Sequence, residues 1–418
     1  MAAMFGIRAS KLALVLFLGF GACISNAQTP QSSDEAGLTS VEKLGKRLFE
    51  DINLSEPRGQ SCASCHDPAK AFQGNAGSPN PALARGAIAD RLGNRKVQLL
   101  TYAAFSPKFG FQPKKDEETG KVEMVAVGGY FWDGRADDLE AQVEGPLLNP
   151  REMNNPSKRA VIDKVRASAY ADLVREAFGA DALDDANKAF SKISSAIAAF
   201  ERTPRFSPFS SKFDDVLRGK AKFSKLEAKG FALFKDRKKG NCLACHVGDL
   251  KSRDPKDWLF SDFTYDALGA PRNRDIPDNR DAAYFDGGLC KRPGLAAIAP
   301  SGFEIDSVCG AFKAPTLRNI AVTGPYMHNG VFKSLRDAVA FYFTRDTNPE
   351  RWYQRGADGT PAKFDDLPDN WRGSVNVKEA PYDRKPGQKP RASDAEIDAI
   401  VAFLHTLTDQ PFQSVAGK

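Results

Sequence analysis

The chain has 418 residues, with 59 Lys and Arg against 53 Asp and Glu, which gives a formal net charge of +6. Its length is enough for two domains with hydrophobic cores. The small positive excess gives no case for a nucleic-acid partner, because +2 of the +6 belongs to Arg8 and Lys11 near the N-terminus. After residue 27, no stretch is long and apolar enough to predict a membrane span.

Residues 1–27 have the pattern of a cleaved secretory signal peptide. Its charged, apolar and small-residue parts are, in order, Arg8 with Lys11, Leu12 to Phe20, and Ser25-Asn26-Ala27. The apolar part is too short to be a persuasive transmembrane helix. Lipidation at Cys23 is a weaker alternative, because the residues before it make a poor lipidation box. We therefore expect a soluble periplasmic protein.

Two Cys-x-x-Cys-His motifs, at 62–66 and 242–246, each follow a predicted helix. The first helix is amphipathic and carries Leu38, Val41, Leu44, Leu48 and Phe49, and the second runs from Ser224 to Phe234. Two thiols at this spacing bind the two vinyl groups of one porphyrin, and the adjacent His binds the iron. The motifs predict two covalent c-type haems, attached through Cys62, Cys65, His66, Cys242, Cys245 and His246.

The remaining elements predict a mainly helical chain with long loops. The stretches 67–94 and 247–312 are expected to be mostly loop, and 106–129 a hairpin whose turn spans Lys114 to Gly120. Further helices are predicted at 136–144, 157–178 and 183–202, and from Ser334 and Ser393, which have capping-box partners at Asp337 and Glu396. The helix that precedes each haem motif indicates weak internal duplication.

A Pro-containing stretch, Thr203 to Phe209, is the best candidate for a domain boundary. The predicted organisation is the signal peptide, an N-terminal cytochrome c-like domain at 28–205 and a C-terminal one at 206–418. Each domain is expected to carry one haem. Cys290 and Cys309 remain after the haem cysteines and Cys23, and an oxidising compartment favours a disulfide between them. A structural staple is the favoured interpretation, with a redox switch as the alternative.

Ligands for the far side of each iron are scarce. His328 and His405 are the only other histidines, and Met124, Met153 and Met327 are the only methionines after the signal peptide. His405 lies among apolar residues of a predicted helix from Ala395 to Thr408, so we interpret it as a helix-surface residue. His328 lies in a turn-rich loop from Thr323 to Gly330 and can approach a haem, so it is a catalytic candidate.

Several segments resemble the bacterial dihaem cytochrome c peroxidase and MauG family. They occur in the family's order together with both haem motifs: Phe131-Trp-Asp-Gly-Arg135, Leu139-Glu-Ala-Gln142, Gly145-Pro-Leu-Leu-Asn-Pro150 with Glu152-Met153, Pro315-Thr-Leu-Arg-Asn319, and Pro325-Tyr-Met-His-Asn-Gly330. The resemblance implies two cytochrome c-like helical domains with the haems at their interface. The methanobactin-biosynthesis relative of MauG is a candidate for a closer cousin.

The resemblance also implies roles for individual residues. Trp132 would lie between the haems and relay electrons, and Gln142, Pro146 and Glu152 would line the distal side of the first haem. A carboxyl group can move the proton that peroxide chemistry needs, and an amide can orient the ligand. Without the flanking motifs, Gln142 and Glu152 would be ordinary polar residues. The family's calcium site corresponds to Asn94 and the backbone carbonyls of Thr323 and Pro325, which are hard oxygen ligands.

Two departures from the family's ordinary peroxidases predict unequal haems. Those peroxidases carry a second His after the first haem motif, whereas residues 67–100 here contain none. The first haem is therefore expected to be five-coordinate or water-bound. They also carry a Met fourteen residues after the His of Pro-Tyr-x-His, and here that position is Tyr342. Tyrosine at this position is the MauG pattern. A phenolate ligand favours the higher oxidation states of iron, whereas a thioether ligand raises the reduction potential. A core aromatic residue is the alternative interpretation of Tyr342.

Three functions follow from these observations. The leading one is a MauG-like enzyme that reacts with hydrogen peroxide at the first haem and oxidises a protein side chain at long range. The second is a cytochrome c peroxidase that takes electrons from small c-type cytochromes or cupredoxins. The third is a dihaem electron carrier, which would need both irons six-coordinate.

Overall fold

The computed structural model describes residues 35–74, 78–115 and 120–416. The predicted signal peptide, 1–27, lies outside the described residues. Met1–Gly37 make up a separate unit, of which residues 35–37 are described. The described residues from Leu38 onward form one compact unit. Within the described part, no helix has the length and apolarity needed to cross a bilayer.

Helices and loops dominate this unit, as predicted. The helices are α1 Ser40–Glu50, α2 Cys62–Cys65, α3 Leu139–Leu148, α4 Lys158–Arg166, α5 Ala171–Phe178, α6 Ala186–Glu201, α7 Lys212–Leu217, α8 Lys225–Lys235, α9 Leu295–Ile298, α10 Leu335–Thr344, α11 Asp394–His405 and α12 Gln413–Ala416. The loops between the helices contain short 3-10 turns, for example Cys242–Ala244.

Three small antiparallel sheets of two strands each complete the described fold. Their strands pair as β1 Leu83–Arg85 with β2 Leu92–Lys96, β3 Gly110–Lys115 with β4 Val122–Val127, and β5 Tyr265–Asp266 with β6 Phe312–Lys313. The predicted hairpin is confirmed by the β3–β4 register, in which Gly110 opposes Val127. Part of its predicted turn, 116–119, lies outside the described residues. The described residues of 67–94 are mostly loop, as predicted, but β1 and the start of β2 form a small sheet there that was not predicted.

One predicted helix differs from the structure for a local reason. The helix expected at 157–178 is divided into α4 and α5, because the hydroxyl of Ser168 donates to the carbonyl oxygen of Val165 at 2.7 Å and competes with helical bonding. At α11 the prediction holds, since Ser393 and Glu396 form a capping box. The Ser334 side chain likewise accepts from the Asp337 amide at the start of α10.

Two hydrophobic clusters form the cores of the unit. One contains residues between Leu44 and Phe206 together with Phe412, and the other contains residues between Phe213 and Leu407. The gap between the clusters overlaps the predicted boundary at 203–209. Because the residues from Leu38 onward form one compact unit, the division into 28–205 and 206–418 stays a prediction. Cys290 and Cys309 form the predicted disulfide.

Candidate dihaem site

The first haem motif lies at one wall of a cavity, which we call the first cavity. Helix α2 holds Cys62 and Cys65 one turn apart, and the His66 amide donates to the Cys62 carbonyl oxygen at 2.9 Å. The Nδ1 atom of His66 lies 3.0 Å from the carbonyl oxygen of Phe72. A carbonyl oxygen only accepts, so Nδ1 carries the hydrogen and Nε2 keeps a free lone pair.

The second haem motif repeats this geometry at the wall of another cavity, the second cavity. The His246 amide donates to the Cys242 carbonyl oxygen at 2.9 Å. Its Nδ1 lies 3.0 Å from the carbonyl oxygen of Phe260. In both motifs the backbone therefore fixes the imidazole tautomer that leaves Nε2 available to a metal.

The two cavities fit covalently bound haem. Burial lowers the pKa of His66 to about 4 and also lowers the pKa of His246, so both imidazoles are neutral, as an iron ligand must be. Burial raises the pKa of Cys65 and of Cys242 to about 12, which keeps these sulfur atoms uncharged, as thioethers are. Apolar side chains provide most of the lining of both cavities. Cys62, Cys65 and His66 would hold one haem, and Cys242, Cys245 and His246 the other.

The predicted distal residues of the first haem all line the first cavity: Gln142, Pro146 and Glu152. Helix α3 carries the first two, and it starts at Asp138, whose carboxylate accepts from the Ala141 amide at 3.0 Å. The chain then turns back, since the amide of Met153 donates to the carbonyl oxygen of Pro146 at 3.1 Å. That turn brings Glu152 to the cavity that α3 lines.

Glu152 lies in an environment that favours the protonated form of its carboxyl group. Burial raises its pKa, while the charge of Arg135 acts in the opposite direction. Arg135 also lines the first cavity and stacks on Phe131, with 3.6 Å from its guanidinium carbon to the ring centroid. A neutral carboxyl group beside a cation can donate a proton to an oxygen atom in the cavity.

Trp132 lies in the wall that the two cavities share. It is buried, and its indole nitrogen donates to the Lys96 carbonyl oxygen at 2.9 Å. The next residue, Asp133, pairs with Arg95 at 2.7 Å and with Arg135 at 3.1 Å. These bonds fix the indole between the two haem motifs.

Tyr342 lines the second cavity together with His246. Helix α10 carries it, and its ring centroid lies 5.7 Å from that of Tyr382. Among the described residues, no hydrogen-bond partner occupies the Tyr342 hydroxyl. Burial raises the pKa of Tyr342, so a phenolate at this position needs a nearby cation. A ferric iron bound to His246 would provide that cation.

The other histidines and methionines divide as the sequence predicts. His405 is exposed at the end of α11 and lines neither cavity. His328 lines the second cavity, where its ring stacks on Phe312 at 3.6 Å between centroids and its Nε2 lies 3.4 Å from Asp366. Met153 lines the first cavity and Met327 the second, whereas Met124 is exposed on β4.

The residues of the predicted calcium site lie near both cavities. Asn94, on β2, lines the first cavity, and its amide nitrogen donates to the Tyr284 hydroxyl at 2.9 Å. Thr323 lines the second cavity and precedes the cis peptide Gly324–Pro325. In the described ranges, no group of three or more His, Cys, Asp or Glu is placed to hold a metal ion. A cation at Asn94, Thr323 and Pro325 would therefore depend on neutral oxygen atoms.

Sequence reasoning missed several polar residues that line the cavities, among them Lys96, Gln98, Glu201, Asp266 and Lys313. Burial raises the pKa of Glu201 to about 8 and that of Asp266 to about 6. Burial lowers the pKa of Lys96 and of Lys313 to about 7. No local sequence signal marks these residues, since each lies in a segment that reads as ordinary helix, strand or loop.

Two cavities, each with its own attachment motif and separated by a buried tryptophan, define a protein with two c-type haem sites. The sequence model of the "Di-haem cytochrome c peroxidase" family matches residues 39–222. The methylamine utilization protein MauG of Paracoccus denitrificans is 37% identical over 394 residues, which cover 93% of this chain and 92% of that protein. The chain belongs to the dihaem cytochrome c peroxidase and MauG family.

Two further relatives extend this assignment. The cytochrome c551 peroxidase of Nitrosomonas europaea is 30% identical over 75% of this chain and 74% of its own length. The crystal structure of the dihaem peroxidase BthA from Burkholderia thailandensis has a TM-score of 0.82 and 40% identity, and it covers 90% of this chain and 87% of that one. The predicted family, the mainly helical cytochrome c-like fold and the enzyme class are thus confirmed: the protein is a dihaem peroxidase-type oxidoreductase.

Proposed function

We propose that this protein reacts with hydrogen peroxide at the first haem and uses the oxidising equivalents for long-range oxidation of a protein side chain, as the MauG-like pattern predicts. Reduction of one H₂O₂ to two waters takes up two protons and two electrons. The protein substrate would give up the two electrons. The bound haems would supply the peroxide cleavage and the storage of oxidising equivalents.

The observation that carries the proposal is the different lining of the two cavities. The second cavity contains Tyr342 together with His246. In the first cavity, His66 is the only histidine among the described lining residues, and Gln142 and Glu152 offer an amide and a carboxyl group. A tyrosinate beside the second haem favours oxidised iron. An open first haem with a proton donor favours reaction with peroxide.

The chain's own residues have distinct parts in this reaction. Glu152, whose pKa burial raises, would give a proton to the departing oxygen atom of peroxide. Gln142 would orient the peroxide with its amide group, and Pro146 would limit the space above the first haem. Trp132, between the cavities, would carry electrons from the second haem to the first. His328 would contribute from the second cavity, where it stacks on Phe312.

We place the protein in the periplasm and propose one bound calcium ion. The predicted leader at 1–27 and the Cys290–Cys309 disulfide both favour an oxidising compartment outside the cytoplasm. The side-chain oxygen of Asn94 and the carbonyl oxygens of Thr323 and Pro325 would bind calcium together with water. The closer relation to the methanobactin-biosynthesis relative of MauG stays a prediction.

A second candidate function is peroxide removal with electrons from a small c-type cytochrome or a cupredoxin. The observation in its favour is the 30% identity to the Nitrosomonas europaea cytochrome c551 peroxidase. This function would use the same first cavity. It differs in the source of the two electrons, which would be a soluble redox protein that reacts many times.

The test compares wild-type holoprotein with Tyr342→Phe and with Tyr170→Phe as the matched control. The Tyr170 hydroxyl bonds to Asp51 and lines neither cavity. We expect Tyr342→Phe to remove the low-spin ferric signal of the second haem in electron paramagnetic resonance while the high-spin signal of the first haem remains. We expect Tyr170→Phe to retain both signals.

Reaction with peroxide then separates the two functions. Slow turnover with reduced small cytochromes, together with oxidised aromatic side chains found by mass spectrometry in a co-expressed protein, is expected. Fast turnover with such donors and no modified side chain would favour the second candidate. An unchanged low-spin signal in Tyr342→Phe would contradict the role of Tyr342 as a ligand.

A further inference from the structure

Two buried lysines bracket the tryptophan between the cavities. Lys96 and Lys313 are 6% and 7% exposed. The Trp132 indole nitrogen donates to the Lys96 carbonyl oxygen at 2.9 Å, and the Lys313 amide donates to the Trp132 carbonyl oxygen at 2.9 Å. Both lysines line both cavities. The wall that separates the haem sites therefore contains two ammonium groups.

The two ammonium groups are directed into different cavities. The Lys96 nitrogen lies 5.9 Å from the ring centroid of Tyr326, which lines the second cavity alone. The Lys313 nitrogen donates to the Ser106 hydroxyl at 3.1 Å and lies 5.2 Å from the ring centroid of Tyr130. Ser106 and Tyr130 line the first cavity alone. The Lys96 ammonium group thus faces the second cavity, and the Lys313 ammonium group faces the first.

Neither ammonium group forms an ion pair within the described part of the chain. The Lys96 nitrogen has no hydrogen-bond acceptor there, and the Lys313 nitrogen donates to two neutral oxygen atoms, those of Ser106 and Gly129. The carboxylate that acts on Lys313 is Asp133, which already pairs with Arg95 and Arg135. An unpaired buried charge is costly, so both positions call for an anion from outside the chain.

The carboxyl groups that line the cavities lie close to the cysteines. Glu201 and Glu152 act electrostatically on Cys62 and Cys65, and Asp266 acts on Cys245. In a c-type haem, the carbon atoms that bind cysteine and the two propionates are at opposite edges of the ring. A haem attached at the cysteines would therefore direct its propionates away from these carboxyl groups, where the buried lysines beside Trp132 can pair with them.

We propose that Lys96 is the counter-ion of a propionate of the second haem and that Lys313 is the counter-ion of a propionate of the first haem. Trp132 would then lie between two ammonium–carboxylate pairs. Both lysines are positioning residues, because they act on the irons through the propionates. The inference depends on the two haem sites and not on which electron donor or protein substrate the enzyme uses.

The experiment measures the reduction potential of each haem in purified holoprotein by spectroelectrochemistry. Lys96→Met and Lys313→Met remove one positive charge each, and Lys96→Arg and Lys313→Arg keep it. A protein with Cys242→Ala and Cys245→Ala, which lacks attachment of the second haem, assigns the absorption bands independently of Tyr342. Haem content and thermal unfolding verify that each variant is folded and loaded.

Removal of a positive charge near an iron favours its oxidised state. Each Met variant should therefore lower the reduction potential of its own haem more than that of the other haem. The Arg variants should retain the wild-type potentials. The propionate bending band of the affected haem in resonance Raman spectra should also shift in the Met variants. The expected shifts of the potentials and bands do not depend on the proposed long-range oxidation. The same shifts are expected if that function fails.

Three results would overturn the assignment: unchanged potentials in both Met variants, equal shifts of both haems, or a crossed pattern in which Lys96→Met moves the first haem. Where a Met variant does not load haem, the Gln variant is measured by the same criteria. If neither neutral variant loads, a charge-retaining Arg variant with wild-type potentials supports the proposal, and a displaced potential contradicts it.

Discussion

The two haem-binding halves of the molecule use the same helical scaffold but different distal residues. In the first half, α1 crosses α6 where a Cβ atom on Gly45 would lie 2.0 Å from the Ala196 carbonyl oxygen. In the second half, α8 crosses α11 where a Cβ atom on Gly230 would lie 1.9 Å from the Ala399 carbonyl oxygen. In each half, the helix that precedes the haem motif takes part in this crossing. The likeness extends the internal duplication predicted from the sequence to the packing of the helices.

The halves differ in the polar residues that line each cavity together with its histidine. The first cavity has Gln142 and Glu152, an amide and a carboxyl group, and the second has Tyr342, a phenol. The comparison teaches that a duplicated scaffold can position two attachment motifs in the same way while the polar side chains around them differ. Three sets of variants test this comparison.

The largest effect is expected for Glu152→Gln, which removes the proton donor from the first half. Peroxide should react with the holoprotein about 10²- to 10⁴-fold more slowly, the usual contribution of a general acid, as measured by stopped-flow absorbance. Glu144→Gln is the matched control, because Glu144 lies on the same helix, pairs with Lys158 and lines neither cavity. Equal rates in wild type and Glu152→Gln would mean that Glu152 is not the proton donor. The halves would then not differ in this respect.

A smaller effect is expected for Gly45→Ala and Gly230→Ala, which test the likeness of the scaffolds. Each new Cβ atom would meet a backbone oxygen, so each variant should lose about 1–3 kcal/mol of unfolding free energy by overpacking. Gly373→Ala is the control, since a Cβ atom there meets nothing within 4 Å. Chemical denaturation measures all three. If one half tolerates alanine and the other does not, the two crossings are not equivalent.

The effect expected for Glu201→Gln appears in the pH dependence of stability. Burial raises the pKa of Glu201 from 4.5 to about 8, so between these values the folded protein keeps a proton that the unfolded chain releases. Stability should therefore fall as pH rises through this window, by at most about 1.4 kcal/mol per pH unit. Glu201→Gln should flatten that decline, whereas the exposed Glu123→Gln should not. Identical slopes in wild type and Glu201→Gln would mean that Glu201 ionises normally.

Much of the candidate site could be predicted because its signals are local or can be counted. The Cys-x-x-Cys-His spacing is set by the porphyrin itself, and the helices before each motif have regular apolar periodicity. Tyr342 was indicated by the family resemblance, since it lies fourteen residues after His328, where the family's ordinary peroxidases carry a Met. The paired Ser393 and Glu396 could be recognised because a capping box involves only neighbouring residues.

Other features could not be predicted because distant contacts determine them. Strands β1 and β2 are short, and they are held by long-range bonds such as that from the Lys96 amide to the His328 carbonyl oxygen at 2.7 Å. The sequence around Lys96 resembles an exposed strand, although the side chain is buried. Glu201 ends an amphipathic helix and reads as a surface residue, although its Oε2 atom is buried without a partner in the described structure.

The sequence by itself determined the number of haems, their attachment residues and the inequality of their candidate ligands, because covalent chemistry depends on residue type and spacing. Only the tertiary structure decided which charged residues line the haem cavities. Lys96 and Lys313 are 217 positions apart by their numbers, and they meet at Trp132 only after both halves fold. Burial and electrostatic partners are properties of the packed chain, so local sequence patterns do not contain them.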